Sequence, residues 1–368
     1  MSLSFTKILI VLPWYSEHDA ISNDAAWQTR LLKDKGFDTF LYAEGSAPRL
    51  AGEMVSFEQM RQLAADPRTL LIYHHGVYWI QGAQILEQAR CHLVMKYHNI
   101  TPPEFYRPYD RIATFATEAG RNQTHNFLKK KYFRAIIGDS HYNIDDLKEY
   151  QLILPPTFVV APFNQLNDFD KVESDPEIRT ELHGNGRFNL LFVGRIVPNK
   201  GILHIIEVIR KYIQFYGADI EINIIGGLGL SEDIYFREIE DKINTYKLCD
   251  HIHFLSGIEF SKIKAYFQYS NAFLLLSEHE GFCVPILESQ YLDLPILALG
   301  NAAVPETLGN GQLILKPIDY SVFAAGIHRL KSDSELRNSC IAAGRLNYQR
   351  FKPQILLKEL ISILETLD

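Results

Sequence analysis

The chain has 368 residues, 47% of them hydrophobic and 22% charged, an ordinary globular composition in a length that exceeds one comfortable core, so two domains are expected. Its net charge of −7 argues against a dedicated nucleic-acid binder, whose affinity rests on neutralising phosphates with a basic surface. The four cysteines, Cys91, Cys249, Cys283 and Cys340, show no C-x-x-C spacing, which argues against a disulfide framework and for a reducing, cytoplasmic setting.

The first apolar run, Ile8 to Trp14 in "KILIVLPWY", is too short to span a membrane and has no small-residue cleavage site after it. It reads as a buried strand. Helical and strand-like segments then alternate: "AAWQTRLLKDKGF", "TFLYAE", "FEQMRQLAADP", "TLLIYHHG", "AQILEQAR" and "HLVMKYHN". Strands and helices taking turns predict a parallel sheet covered on both faces. Asn23 or Asp24 is placed to cap the helix after the first strand. "NFLKKKYFR" sets Lys129, Lys130, Lys131 and Arg134 among aromatics, a group that can rest on an anionic membrane surface or form a solvated helix end.

"PPTFVVAPFNQLNDFDKVESDPE" is rich in proline and acidic residues and reads as a connection between domains, with the boundary between 163 and 185. Asp168-x-Asp170 inside it mimics a metal-binding D-x-D, but it follows no buried strand and no metal is assigned to it. The alternation restarts after 185 with "FNLLFVGR", "ILHIIEVIRKYIQFY", "IEINIIGG", "IHFLSG", "AFLLLSEHE" and "PILALG", a second doubly wound sheet. "IIGGLGLSED" (224 to 233) lacks a full G-x-G-x-x-G and reads as a turn beside a nucleotide. The chain ends in an amphipathic helix whose Ile355, Leu356, Leu360, Ile363 and Leu364 need a surface to cover. The expected division is 1–165 with the helix 350–368, and 166–349. Charge differs between the halves: residues 1–160 carry 17 basic and 17 acidic side chains, so the remainder holds the whole negative excess.

In open α/β sheets ligands bind at the carboxyl ends of the strands, which directs attention to "SEHEGFCVPILES" (277 to 289). On one straight helix Glu280 and Glu288 would lie about 80° apart and about 12 Å along the axis, too far for paired-carboxylate chemistry. Pro285 suits the first turn of a helix, so the segment is expected to turn and then become helical near that residue. Glu280 then faces the strand ends and Glu288 sits in the first helical turn, with backbone N–H groups between them. Such a helix start favours an anion, and Gly281 allows close approach of a ligand. One carboxylate can accept from a sugar, the other from a ribose, and the amides can hold phosphate. The alternative is a solvent-facing loop acid and a favourable first-turn charge.

"LLFVGRIVPNKGILHIIEVI" (190 to 209) places Arg195 after Gly194 at the end of a buried strand, and Lys200 before Gly201 at the foot of the next helix. A planar fork of donors and a compact ammonium together can neutralise a diphosphate. Otherwise they are surface cations.

"FVGRIVPNKG" and "SEHEGFCVPILE", with the E-x7-E spacing of Glu280 and Glu288, resemble the two signature segments of the retaining GT-B glycosyltransferases of family 4, the glycogen-synthase-like group. "AVPETLGNGQLILKP" resembles that family's closing segment, and the likeness covers most of 140 to 320. It implies two Rossmann-like α/β domains facing across a cleft, and transfer of a hexose-type sugar from a nucleotide-sugar, UDP favoured, to a glycan or lipid-linked acceptor, without a metal or other cofactor. By the same resemblance Arg195 and Lys200 bind the diphosphate. Glu280 with Gly281, Phe282, Cys283 and Val284 meets sugar and phosphate, and Glu288 holds the ribose. Gly257 and Ile258 cradle the base. His98 matches a histidine near the reacting sugar, and His74, His75, Asn99 and Asn23 are candidates for the acceptor side. Two features depart from the family: "SEHDAISNDAAWQ" replaces a Gly-Gly turn after the first strand, and Cys283 stands where glycine is common. Peripheral membrane contact is a further expectation, and no nucleic acid is expected as a partner. The rival readings are a nucleotide-sugar epimerase or phosphorylase on the same fold, and a catalytically silent nucleotide- or glycan-binding protein.

Overall fold

A computed structural model describes residues 5–17, 19–164, 166–227 and 233–367. Among them are two six-stranded sheets, every pairing parallel. The first contains β1 (Lys7–Tyr15), β2 (Asp38–Ser46), β3 (Thr69–His75), β4 (His92–Tyr97), β5 (Ala135–Gly138) and β6 (Thr157–Val159), in the order β2-β1-β3-β4-β5-β6. The second contains β7 (Phe188–Val193), β8 (Ile220–Ile225), β9 (Ile252–Leu255), β10 (Ala272–Leu275), β11 (Ile296–Leu299) and β12 (Leu313–Leu315), in the order β12-β11-β10-β7-β8-β9.

Central strands of such sheets are buried on both faces and read as unbroken apolar runs. Ile8 to Leu12 in β1 have no accessible surface, and β8 is buried along its whole length. Strand order reverses between β1 and β3 in one sheet and between β7 and β10 in the other. At such switch points the following loops diverge and leave a crevice at the strand ends.

The chain forms two compact units: 1–102, 115–164 and 350–368 in one, 103–114 and 165–349 in the other. The segment 103–114 therefore groups with the second unit, a departure from the sequence division. Its Tyr109 hydroxyl donates to Glu238 and its ring meets Tyr235 edge-on, contacts between residues far apart in sequence that no local pattern announces.

The C-terminal helix, Pro353–Thr366, buries Leu356, Leu357, Leu360, Ile363 and Leu364. Ile355, expected on the buried face, is 41% exposed, and Leu357 takes its place. The first helix, Ala20–Asp34, starts earlier than expected, because Asp19 is its cap and accepts from the Ser22 amide. Ser22 Oγ in turn donates to the Trp14 carbonyl, tying the helix start to the end of β1. Asn23 and Asp24 thus lie inside the helix and cap nothing. No helix among the described residues is long and apolar enough to cross a membrane.

Candidate active site

The loops after β7 and β10 flank the switch point of the second sheet. Gly194 follows β7 and its amide donates to the Ile225 carbonyl. A Cβ on Gly226 would lie 1.9 Å from the Gly194 oxygen, so glycine at 226 lets two backbones touch. The rest of that turn, 228–232, lies outside the described residues. Arg195 comes next and is exposed. The chain then makes a 3₁₀ turn, Pro198–Lys200, and enters the helix Ile202–Tyr216 through Gly201.

Gly201 has φ +69°, and a Cβ there would lie 2.0 Å from the Leu276 carbonyl oxygen at the end of β10. Only glycine fits. Asn199, buried, adds a second tie: its Nδ2 donates to the His279 carbonyl at 3.0 Å and its carbonyl accepts from the Glu278 amide at 2.9 Å. Two segments 80 residues apart are thereby held in register, and Lys200 Nζ meets both oxygens of Glu280, at 2.7 and 2.8 Å.

Beyond Glu280 the chain turns through Gly281 and Phe282. Thr307 Oγ1 donates to the Phe282 carbonyl and the Ala303 amide to the Glu280 carbonyl, so the turn is fixed from outside. Cys283 adopts φ +79°, a left-handed conformation that explains why glycine would be at ease there. It is the N-cap of the helix Val284–Tyr291, makes no side-chain capping bond, and Pro285 lies in the first turn. The helix start is thus left for another acceptor. Burial pushes the Cys283 thiol well up and keeps it protonated. Glu288 is half-buried, and burial pushes its carboxyl up to about 7. Gly257, at φ +63°, is exposed beside half-buried Ile258 after β9. Asp168 pairs with Lys171, and Asp170 accepts from the Tyr291 hydroxyl, so the D-x-D pair is occupied locally.

In the first unit His98 follows β4. Its Nδ1 donates to Asp139 Oδ2 at 2.8 Å, and its Nε2 faces His74 Nδ1 at 2.9 Å. Burial raises Asp139, but His98 and Lys96 outweigh it and hold the carboxyl below its ordinary range. His75 does not join them: adjacent side chains of a strand point to opposite faces. It is buried in the core, bonded to Thr124 Oγ1 at 2.8 Å and packed near Phe127, and lines no cleft. Asn99 is buried too, at φ +68°, donating to Asn143 Oδ1 at 3.3 Å. Asn23 lies in the first helix, its amide bonded to the Asp19 carbonyl. Two residues that matter here, Asn199 and Asp139, carried no signal in the sequence beyond following apolar runs.

Residues 174–347 match the family model described as glycosyl transferases group 1. The capsular polysaccharide biosynthesis glycosyltransferase CapM of Staphylococcus aureus is 27% identical over 185 residues, 50% of this chain and 47% of that protein. The O-antigen chain mannosyltransferase RfbU of Salmonella typhimurium is 22% identical over 218 residues, 56% of each. The chain spans about half the length of the curated relatives it matches. Among solved structures, Anabaena Alr3699/HepE in complex with UDP and glucose is similar with a TM-score of 0.73 at 16% identity, covering 98% of this chain and 100% of that one. Sucrose-phosphate synthase from Thermosynechococcus elongatus gives 0.76 at 16% identity, covering 98% and 99%. Residues 174–347 therefore resemble a glycosyl transferases group 1 domain, and the two parallel sheets together have the GT-B fold.

Proposed function

We propose that the chain is a retaining glycosyltransferase that moves a hexose-type sugar from a nucleotide-sugar, with UDP the favoured nucleotide, to a glycan or lipid-linked acceptor. The observation that carries this reading is the seat of Lys200. Gly201 and Asn199 fasten it beside a helix start that no side chain caps, so a cation and the positive end of a helix dipole share one strand-end crevice. That is a diphosphate's environment. The complexes of Alr3699/HepE with UDP-glucose and with UDP support the choice of nucleotide, and CapM and RfbU support a polysaccharide product.

In this reading the donor phosphate takes Glu280's place on Lys200, and the released carboxylate accepts from sugar hydroxyls. Arg195, exposed at the end of β7, supplies the second cation. As the anomeric C–O bond breaks, its electron pair leaves with the nucleoside diphosphate, where two cations and the helix dipole stabilise it without a metal on the phosphates. Glu280, once released, is engaged by the sugar hydroxyls and not poised as a nucleophile, which supports same-face attack by the acceptor hydroxyl. Its proton passes to the departing phosphate oxygen. Glu288 takes the ribose, and Gly257 with Ile258 the base. The sugar-side role of His98 belongs to the same proposal.

Four free thiols support a cytoplasmic setting. Of the cations considered for an anionic membrane surface, Lys130 pairs with Glu87 and Arg134 donates to the Leu367 carbonyl, which leaves exposed Lys129 and Lys131 for peripheral contact. The test is donor binding and transfer in Lys200→Ala and Arg195→Ala, with UDP-, GDP- and ADP-sugars compared. Each variant should lose about 100- to 1,000-fold in turnover. Unchanged donor affinity and turnover in Lys200→Ala would overturn the reading.

A further inference from the structure

The first unit contains a buried charged cluster at the switch point of its own sheet. Asp24 comes from the helix after β1, His74 from the end of β3, Lys96 from β4, His98 from just beyond it, and Asp139 from just after β5. All five side chains are at most 5% exposed. Lys96 Nζ lies 2.6 Å from Asp139 Oδ1 and also donates to the Val160 carbonyl. Asp139 therefore has its cation. Asp24 does not. Its Oδ1 accepts from the Phe163 amide at 2.8 Å and from Gln28 Nε2 at 3.2 Å, while Oδ2 has no hydrogen-bond partner among the described residues.

A buried carboxylate oxygen with nothing bonded to it is costly, and the cluster with neutral imidazoles is short of positive charge. What fills the deficit is decided by geometry. Asp24 Oδ2 lies 3.8 Å from His74 Nδ1 and 3.8 Å from His98 Nε2, and those nitrogens are 2.9 Å apart. A point equidistant from all three lies about 2.1 Å from each, the distance at which zinc holds imidazole nitrogen and carboxylate oxygen. Asp139 on the far side of His98 supplies the carboxylate that orients a ligating imidazole.

We propose that Asp24 Oδ2, His74 Nδ1 and His98 Nε2 form a binding site for a divalent transition-metal cation, with Zn²⁺ the ion this two-imidazole, one-carboxylate set fits best. Three protein ligands leave coordination open, so the site takes a water or hydroxyl ligand in addition. Uptake breaks the bond between the two rings, and the proton on His74 Nδ1 moves to His74 Nε2, which has no hydrogen-bond partner among the described residues. The site lies wholly in the first unit and uses neither Arg195 nor Lys200; it shares only His98 with the glycosyl-transfer reading, and Zn²⁺ uptake tests it without a transfer assay.

The test uses the full chain, stripped with a chelator and dialysed, in a Cys249→Ser background that removes the exposed thiol. Co²⁺ is titrated in and its visible d–d absorption followed, then Zn²⁺ binding is measured by calorimetry. One equivalent per chain is expected, with the bands of nitrogen and oxygen ligation and no thiolate charge-transfer band. Asp24→Asn and His74→Ala, checked for fold by circular dichroism, should each bind Zn²⁺ at least about tenfold more weakly. Glu280→Gln should bind it unchanged. X-ray absorption on the Zn²⁺-loaded chain with its native Asp24 and His74, expected to report two imidazoles, keeps the test decisive if those variants do not fold. No stoichiometric uptake, thiolate bands, or unaltered affinity in folded Asp24→Asn would overturn the proposal.

Discussion

Glu280 grips the Lys200 ammonium with both carboxylate oxygens, at 2.7 and 2.8 Å, so the two charges cancel in the protein without ligand. A diphosphate must compete with that carboxylate for its cation. Glu280→Gln removes the competitor while leaving a side chain of nearly the same shape. UDP should then bind about three- to tenfold more tightly, a gain of roughly 1 kcal/mol. Transfer should fall at least about 100-fold, because the sugar loses its carboxylate. Calorimetry with UDP and a transfer assay read the two effects separately. A fall in both would mean that Lys200 does not bind phosphate.

Two glycines near the same strand ends should respond oppositely to a methyl group. At Gly201 the new Cβ would meet the Leu276 carbonyl oxygen at 2.0 Å, in a left-handed conformation that already disfavours alanine. Gly201→Ala should cost more than about 2 kcal/mol in urea unfolding and disturb nucleotide binding, since it pushes the two loops apart. A Cβ on Gly227 meets nothing within 4 Å. Gly227→Ala should stay within about 0.5 kcal/mol of the parent.

The two sheets were legible because both are written in local pattern: unbroken apolar runs, each followed by a helical period. The cations and glutamates at the strand ends were legible because strand-end position and residue type already limit the chemistry. What joins them was not. Gly201 against Leu276, Asn199 against His279 and Lys200 against Glu280 are all contacts between segments some 80 residues apart, fixed by strand order and not by spacing. Asp24 read as a helix cap because it precedes a helical run. Asp19 takes that bond first, and one turn further on Asp24 points into the buried cluster instead.

Tandem His74 and His75 show a signal that was present in the sequence and outweighed by residue type. In a strand only one of two neighbours can face a given side, and His75 is the one that went to the core. His75→Phe exchanges its bond to Thr124 for added bulk among Tyr73, Tyr97 and Phe127. It should cost about 1–3 kcal/mol in stability and leave donor affinity and turnover unaltered. Thermal unfolding alongside transfer kinetics checks both. A selective loss of turnover at full stability would return His75 to the active site.

Glu288 ties the site to pH. Burial raises its carboxyl from 4.5 to about 7, so below neutrality the folded protein keeps it protonated. Its effect on stability is favourable below 4.5, where folded and unfolded chains are both protonated, and is lost as pH rises through 7. Glu288→Gln should therefore match the parent near pH 4 and exceed it at pH 8, by no more than about 3 kcal/mol. Ligand binding should run the other way. Only the ionised carboxylate accepts from both hydroxyls of a ribose diol, so affinity for a UDP-sugar should rise as pH increases through 7 and level off above it. A UDP-sugar is the right probe, because its diphosphate, esterified at both ends, does not titrate in this range. Glu288→Gln should bind it more weakly at pH 8 and with a flat profile. A parent profile that is itself flat between pH 6 and 8 would remove Glu288 from the ribose site.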